Sequence, residues 1–392
     1  MQLQFTTAEL AFREQVREFL ARALPPALRT KLIEGATPSK EEIVAWQRAL
    51  NARGWAVPHW PTEWGGTGWS EIEHHIFQDE LQQWPAPATL PFNVEMVGPV
   101  IAAFGSDAQK RRFLPRAANL DDWWCQGFSE PGAGSDLASL RTTATRVGDR
   151  YRVRGHKTWT TLAQHADWIF CLVRTDPKVK KQQGISFLLI DMRSPGITLR
   201  PILTIDGSHE INEVLFDDVE VPAENLVGEE GRGWDYAKYL LSRERTGIAR
   251  VGSSKQLVRR IRQLAASARR GERTLLEDVG FGERLVVLET ELKALEITLL
   301  RVVSAAQRSG GRPDPLSSLL KIRGSEIQQG LSEMLLEVAG APGARRAADE
   351  AEIATQWLAR AAPRYFNWRK LSIYGGSNEI QRNIIAKAVL GL

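Results

Sequence analysis

The stretch that decides the fold is residues 149–161, "DRYRVRGHKTWTT", in which apolar and polar residues alternate. Such alternation, with aromatic and β-branched residues, is typical of a half-buried strand. Four more short stretches of this kind follow, separated by Gly, Pro and Asp: "ADWIFCLVRTD", "GISFLLIDM", "GITLRPIL" and "NEVLFDDVEVP" (166–176, 184–192, 196–203 and 212–222). Successive strands without intervening helices predict an antiparallel sheet or barrel.

On both sides of this region the sequence is helical. "TTAELAFREQVREFLARAL" (6–24) begins with a capping signal and repeats apolar residues at helix spacing until Pro25. From Gly233 onward the period is again helical, and long helices are expected over about 233–266, 281–308, 314–340 and 350–390. The predicted fold is α+β, mostly α. It has an N-terminal helical domain (1–120), a middle β-barrel (121–228) and a C-terminal four-helix bundle (229–392).

Composition narrows the class of protein. The 392 residues carry a net charge of +4, spread along the chain, which suits a small polyanionic ligand as well as nucleic acid. The two cysteines, Cys125 and Cys171, cannot form a disulfide framework or a CxxC metal pair. The N-terminus does not resemble a signal peptide, and no apolar run is long enough to span a bilayer. We therefore expect a cytoplasmic protein with no metal, nucleic-acid partner or membrane insertion.

Residues 126–136, "QGFSEPGAGSD", form the first stretch with possible chemistry. Gly132, Ala133 and Gly134 would let backbone N–H groups approach a phosphate, and Ser135 could add a hydroxyl donor. The stretch does not join a strand to a long helix, so it is not a dinucleotide-binding fingerprint of the Rossmann type. A plain glycine-rich turn is the alternative interpretation.

Residues 374–387, "YGGSNEIQRNIIAK", form the second such stretch. A Gly-Gly turn precedes Ser377, which has the character of a helix N-terminus, where free N–H groups favour an anion or a carbonyl oxygen. An ordinary capped helix is the alternative.

Glu244 interrupts an apolar seam on the first predicted bundle helix. At helical spacing the seam consists of Trp234, Ala237, Leu241, Ile248 and Val251. A carboxylate there either pairs with a buried arginine or serves as a general base with a raised pKa. The neighbouring Arg243 and Arg245 point away from the face of Glu244, which weakens the first alternative.

The order of these motifs resembles the acyl-CoA dehydrogenase family over essentially the whole chain. The resemblance lies in "WPTEWGGTGWS" (60–70), "GFSEPGAGSDLASLRTTATRVGDRYRVRGHKTWTT" (127–161), "NEVLFDDVEVPAENLVGEEGRGW" (212–234) and the C-terminal "YGGSNEIQRNIIAK". It implies bound FAD. The flavin contacts it implies are Gln126, Phe128, Ser129, Ser135, Trp159, Thr161, Ser377, Asn378 and Glu379. The substrate contacts it implies are Ser135, Arg245 and Gly376.

The same resemblance bears on the catalytic base. Many family members carry the base in a "YEG" sequence, where this chain has Gly375. A minority carry it on the first bundle helix, at the position that matches Glu244. The resemblance thus implies that Glu244 removes the α-proton of an acyl-CoA while a hydride passes from Cβ to flavin N5, giving a trans-2-enoyl-CoA. An electron-transfer flavoprotein is the electron acceptor it implies.

Two departures from the family concern FAD contacts donated by a neighbouring subunit. The region "ARRGERTLLEDVGFGERL" (268–285) lacks the family's arginine before the Phe-Gly pair, and "LLEVAGAPGA" (335–344) lacks the glutamine and double glycine of a diphosphate-binding stretch. This pattern resembles one subunit of two-subunit bacterial enzymes, the pimeloyl-CoA or steroid-side-chain types. We expect a heterotetramer with a paralogous subunit, with a homo-oligomer as the alternative. A non-catalytic scaffold subunit and a flavin oxidase or monooxygenase are the competing functions.

Overall fold

A computed structural model of the chain describes residues 4–243, 247–309, 316–344 and 356–392. The helices are α1 (Thr7–Ala23), α2 (Pro26–Ile33), α3 (Lys40–Ala52), α4 (Glu71–Gln83), a π-helix (Phe92–Val97), α5 (Gly98–Phe104), α6 (Asp107–Ala118), α7 (Gly233–Arg243), α8 (Val251–Ala265), α9 (Val279–Ser309), α10 (Ser317–Ala344), α11 (Gln356–Trp368) and α12 (Asn378–Ala388). The strands are β1 (Trp124–Gly127), β2 (Thr143–Val147), β3 (Arg150–Thr161), β4 (Trp168–Arg174), β5 (Ile185–Asp191), β6 (Ile197–Ile202), β7 (Ile211–Pro222), β8 (Arg269–Arg270) and β9 (Arg273–Thr274).

The order of helices, then strands, then helices confirms the predicted fold class. The capping signal at the N-terminus is also confirmed, because Thr6 and Glu9 form a reciprocal capping box at the start of α1. No helix in the described part of the chain is long and apolar enough to cross a bilayer. The same residues contain no cluster of three or more metal-ligating side chains.

Packing divides the chain into two compact units, and the first comprises residues 43–68 and 89–244. Its centre is a curled seven-stranded sheet with the order β1-β4-β2-β3-β7-β6, and β5 pairs with β4. The ladders β2–β3, β3–β7, β4–β5 and β6–β7 are antiparallel, as predicted. The pairings of β1 and β2 with β4 are parallel, which the sequence pattern did not predict.

The interior of this sheet is apolar. Residues 168–173 of β4 and 185–190 of β5 are buried without alternation, which is why those stretches read as continuous hydrophobic runs. In β3 the register shifts at Gly155, where an added Cβ would lie 2.6 Å from the Cα of Thr142. A side chain at position 155 would therefore force the two neighbouring strands apart.

The second unit comprises residues 1–42, 69–88 and 245–392 and contains the C-terminal bundle. Helices α8, α9 and α10 share one hydrophobic core, to which Ile261, Leu285, Leu295, Ile327 and Leu331 belong. Helices α11 and α12 pack against α10. The three domain boundaries predicted from the sequence stay a prediction.

The predicted first and last bundle helices are each shorter than expected. The prediction of one continuous helix over 233–266 was wrong, because residues 247–249 form a 3-10 turn and Arg250 has a left-handed backbone (φ 46°). Similarly, the segment 350–390 contains two helices, α11 and α12, separated by a turn at Gly375 and Gly376 with φ of 64° and 77°. The first break follows the predicted site residues Glu244 and Arg245 in the sequence, and the second precedes Ser377.

Candidate functional site

The glycine-rich loop after β1 begins inside the first unit and ends at its surface. Gln126 and Ser129 are half-buried. Phe128 is 5% exposed, and its ring packs edge-on against Phe170 and Phe187, with centroids 5.8 and 6.3 Å apart. Because this ring belongs to the core, any contact of Phe128 with a cofactor is made through its backbone.

The second half of the loop presents accessible backbone. Gly132, Gly134 and Ser135 are exposed, and a Cβ added at either glycine would meet no heavy atom within 4 Å. Glu130 and Ala133 close a tight turn just before, through mutual backbone hydrogen bonds of 3.0 Å. The turn supports the interpretation of a plain glycine-rich turn, and the exposed Gly134 and Ser135 after it would let an anionic group approach the backbone.

Trp159, near the end of β3, is one of four non-glycine residues with a left-handed backbone in the described part of this unit; the others are Leu120, Leu162 and Asp218. The φ of Trp159 is 58°, and its indole is 60% exposed although Thr158 and Thr160 on either side are buried. The register of β3 against β7 shifts between Lys157 and Thr160. A strained non-glycine residue that displays a large flat side chain is a common feature of ligand-binding sites.

The glycine-rich loop and this strand are joined directly. The backbone N–H of Thr158 donates to the carbonyl of Ser129 over 2.9 Å. Below this bond lies a buried ion pair between Lys157 and Glu130, with 2.7 Å between Nζ and Oε1. The structure therefore brings together the predicted contacts Phe128, Ser129 and Trp159, while the ion pair was missed from the sequence.

In the second unit, the predicted helix start at Ser377 is observed. Ser377 caps α12 and accepts a hydrogen bond from the N–H of Ile380 over 3.4 Å. Gln381 braces the preceding turn by donating to the carbonyls of Gly375 and Gly376. Glu379 is exposed at the start of α12, and hydrogen bonds from its own backbone and from Ser377 hold its pKa below the ordinary value.

The side chain of Asn378 is engaged inside the bundle. Its Oδ1 accepts from Lys321 Nζ over 2.9 Å, and its Nδ2 donates to Ser325 Oγ over 3.1 Å. A flavin contact by Asn378 would therefore use its backbone. Lys321 is 2% exposed, and its role in anchoring α12 was also missed, because the signal depends on a contact between residues far apart in sequence.

Glu244 and Arg245 lie outside the described residues. The helix before them, α7, is held in the first unit by Tyr236, whose ring stacks on Phe104 at 4.4 Å and whose hydroxyl accepts from the N–H of Glu229. The next described residues, 247–249, form the 3-10 turn.

The two stretches that depart from the family pattern are engaged within the chain. Phe281, of the Phe-Gly pair, is fully buried in the bundle core. Glu337, within "LLEVAGAPGA", accepts hydrogen bonds from Arg270 over 2.9 Å and from Arg284 over 2.5 Å. The carboxylate of Glu337 is thus paired with two arginines of its own chain.

Comparison with known families decides the assignment. The sequence matches three domain profiles, described as the acyl-CoA dehydrogenase N-terminal domain (residues 6–121), middle domain (125–219) and C-terminal domain (231–390). The chain belongs to the acyl-CoA dehydrogenase family. It is an FAD-dependent oxidoreductase of that family.

Individual relatives align with nearly the whole length of this acyl-CoA dehydrogenase. "Acyl-CoA dehydrogenase IpdE1" of Mycobacterium tuberculosis is 38% identical over 97% of both chains. Among solved structures, a chain of the ChsE4-ChsE5 complex from M. tuberculosis is similar with a TM-score of 0.83 and 33% identity, covering 100% of this chain and 99% of that one. A chain of the "Tcur3481-Tcur3483 steroid ACAD" has a TM-score of 0.85 and 28% identity, with coverage of 100% and 99%.

The described residues fit FAD, the cofactor of the acyl-CoA dehydrogenase family. The first unit offers exposed glycines at 132 and 134, where a Cβ would meet no heavy atom, and an exposed Trp159. Taken by itself, the second unit offers a capped helix N-terminus at Ser377. Each of these is a kind of group to which a flavin nucleotide can bind.

Proposed function

We propose that this chain is the catalytic subunit of a heteromeric acyl-CoA dehydrogenase, with Glu244 as the base that removes the α-proton. The observation that carries the proposal is at the C-terminal turn. The family's usual base position is Gly375, which has no side chain and a left-handed backbone (φ 64°). A base supplied by this chain would therefore be a carboxylate at another position.

The burial pattern of α7 supports Glu244 for this role. The buried positions of α7 are Gly233, Tyr236, Ala237 and Leu240. In the sequence, a further step of four residues from Leu240 reaches Glu244. We propose that this carboxylate has an apolar setting, in which desolvation raises a carboxyl pKa towards the range useful for proton abstraction.

Each remaining residue is proposed to bind or orient. The loop 126–136 and Trp159 would position the isoalloxazine ring and Ser135 the boundary between flavin and CoA, while Arg245 and Gly376 would contact the acyl-CoA. Bound FAD supplies the acceptor for the β-hydride at N5. Glu244 would hold the α-proton, and an electron-transfer flavoprotein would accept the electrons, as the family resemblance implies.

Two observations support a paralogous partner. Phe281 is buried in the core, and Glu337 places a carboxylate on the stretch where family members bind a diphosphate. Because Arg270 and Arg284 are already paired with Glu337, we propose that they do not bind the diphosphate of a neighbour's FAD. Of the two solved structures described above, one is named as the ChsE4-ChsE5 complex, and the name of the other joins Tcur3481 and Tcur3483.

For the substrate, we propose a steroid-derived acyl-CoA. The support is the similar structure that is named a steroid ACAD. A panel of short, branched, dicarboxylic and steroidal acyl-CoAs, assayed by bleaching of the flavin absorbance, tests this point. The proposal predicts the highest kcat/KM for the steroidal thioester, and a higher value for a short or dicarboxylic one would contradict it.

The base is tested in the same assay with Glu244→Gln. Loss of a general base typically lowers the rate about 100-fold or more, so kcat should fall by at least that factor while FAD content stays unchanged. Glu283→Gln, on the exposed face of α9, is the matched control and should retain full activity. A scaffold subunit would instead keep the activity of the complex in both variants. Hydrogen peroxide or a hydroxylated product would favour the oxidase or monooxygenase alternative.

A further inference from the structure

Lys157 is a buried cation at the point where β3 meets the glycine-rich loop. Its side chain is fully buried, with 0% exposed. Its Nζ donates to Glu130 Oε1 over 2.7 Å and to the carbonyl oxygen of Phe128 over 3.2 Å. One ammonium group thus holds both a side chain and the backbone of the loop.

Glu130 extends this connection to the start of β2. Its Oε2 accepts from the N–H of Arg141 over 2.6 Å, and its Oε1 accepts from the N–H of Thr142 over 2.9 Å. Burial alone would raise the pKa of Glu130, but Lys157 and these hydrogen bonds outweigh it and keep the pKa below its ordinary value. The carboxylate is therefore charged, and it joins three segments of the chain.

The neighbouring thiol does not compete for the ammonium. Burial raises the pKa of Cys171 to about 11, even though Lys157 opposes that shift. Among the described residues, the side-chain hydrogen bonds of Lys157 go to Phe128 and Glu130 of the loop. A buried ion pair adds little net stability over an apolar pair of the same size. We therefore look for its role in the geometry of the loop that it holds.

We propose that Lys157 and Glu130 are positioning residues that hold the loop 126–136 and the end of β3 in the geometry that binds FAD. The inference rests on the proposed cofactor contacts of these two segments. The loop carries Ser129 and Ser135, and β3 carries Trp159 two residues after Lys157. Without the pair, the loop would keep the hydrogen bond from Thr158 to Ser129 but would lose the bonds from Lys157 to Glu130 and to the carbonyl of Phe128.

The experiment compares Lys157→Met, Glu130→Gln and the double variant in the FAD-loaded protein, with its partner chain where FAD loading requires one. Each single variant should weaken FAD affinity about tenfold or more, as when an outer positioning group is lost. Each should also change the visible circular dichroism of the bound flavin. The double variant should regain stability over the single ones, because no unpaired charge remains, but it should not regain FAD affinity.

The control is Glu80→Gln, which breaks the ion pair of another buried glutamate with Arg17 in the other compact unit. It should destabilise the protein without changing FAD affinity or the flavin spectrum. The proposal would be overturned if FAD affinity changed in parallel with stability in all four variants and recovered in the double variant.

A second measurement needs no FAD. Hydrogen–deuterium exchange of the FAD-free chain should accelerate over residues 127–136 and 157–161 in Lys157→Met but not in Glu80→Gln. Unchanged exchange there would also overturn the proposal. If the wild-type protein bound no FAD, the proposed function would fail, and the exchange measurement would still decide whether the pair holds the loop.

Discussion

At the scale of single residues, Trp159 combines a left-handed backbone with an exposed indole. Neither feature helps the protein fold. The backbone costs about 1 kcal/mol or more for a non-glycine residue, and the exposed ring buries little apolar surface. We propose that the flavin of this family covers the ring, which would account for the exposed indole and for the strained backbone that presents it.

Replacing Trp159 should separate folding from binding. Trp159→Gly removes the left-handed strain, so the FAD-free chain should lose no stability and gain up to about 1 kcal/mol. FAD affinity should fall in Trp159→Gly and in Trp159→Ala, because both lack the ring. Chemical denaturation and flavin fluorescence titration provide the two measurements. FAD affinity equal to that of the wild type in both variants would exclude Trp159 from the site.

The pair of Glu130 with Lys157 predicts a defined pH dependence of stability. The folded pKa of Glu130 lies below its ordinary value of 4.5. Its charge therefore contributes stability fully above that pH, and the contribution is lost as the pH falls through the lowered folded pKa. Breaking a buried pair by removing one partner costs about 3–5 kcal/mol.

The free energy of unfolding of Glu130→Gln should therefore be lower than that of the wild type at pH 7, with the gap narrowing below pH 4.5. Denaturant titrations from neutral to acidic pH measure this gap. Glu283→Gln, at an exposed position, should stay within about 0.5 kcal/mol of the wild type. A gap for Glu130→Gln that is constant with pH would mean that the charge of Glu130 contributes nothing.

At the scale of elements, local signals in the sequence predicted helix starts well. Thr6 and Ser377 were expected as caps, and both accept the capping hydrogen bond. Such signals act within one turn of helix and can be read without the rest of the fold. The break at 247–250 was not predicted, because the apolar spacing continues through it to Val251.

The cap at Ser377 supports a stability prediction for α12. Ser377→Ala removes the acceptor for the N–H of Ile380 and should cost about 1 kcal/mol, while Ser377→Asp keeps an acceptor and should cost less. Hydrogen–deuterium exchange over residues 380–388 should rise in the alanine variant alone. Equal exchange in the two variants would show that the cap does not hold this helix.

The connections between elements could not be predicted from the sequence. Lys157 meets Glu130 across 27 positions, and Lys321 meets Asn378 across 57. Both contacts depend on strand register and helix packing, which no local pattern encodes. The loop 126–136 and Trp159 were recognised as separate motifs, but the buried lysine that joins them became evident only in three dimensions.

At the scale of the whole molecule, the chain matches all three domain profiles of its family but departs from the family's sequence pattern in two stretches of the bundle, 268–285 and 335–344. Phe281 and Glu337 are engaged within the bundle. We therefore predict that the isolated chain binds FAD incompletely and that its complex with a paralogous chain binds FAD fully. Native mass spectrometry with flavin quantification measures both. Full FAD occupancy of the isolated chain would favour the homo-oligomer.

The central claim is that Glu244 removes the α-proton, and flavin reduction in a single anaerobic turnover tests it most directly. In the wild-type complex, deuterium at Cα of the steroidal acyl-CoA should slow the bleaching of the flavin. In Glu244→Gln, the thioester should still bind, and bleaching should be about 100-fold slower or more. Bleaching at the wild-type rate in Glu244→Gln would contradict the account.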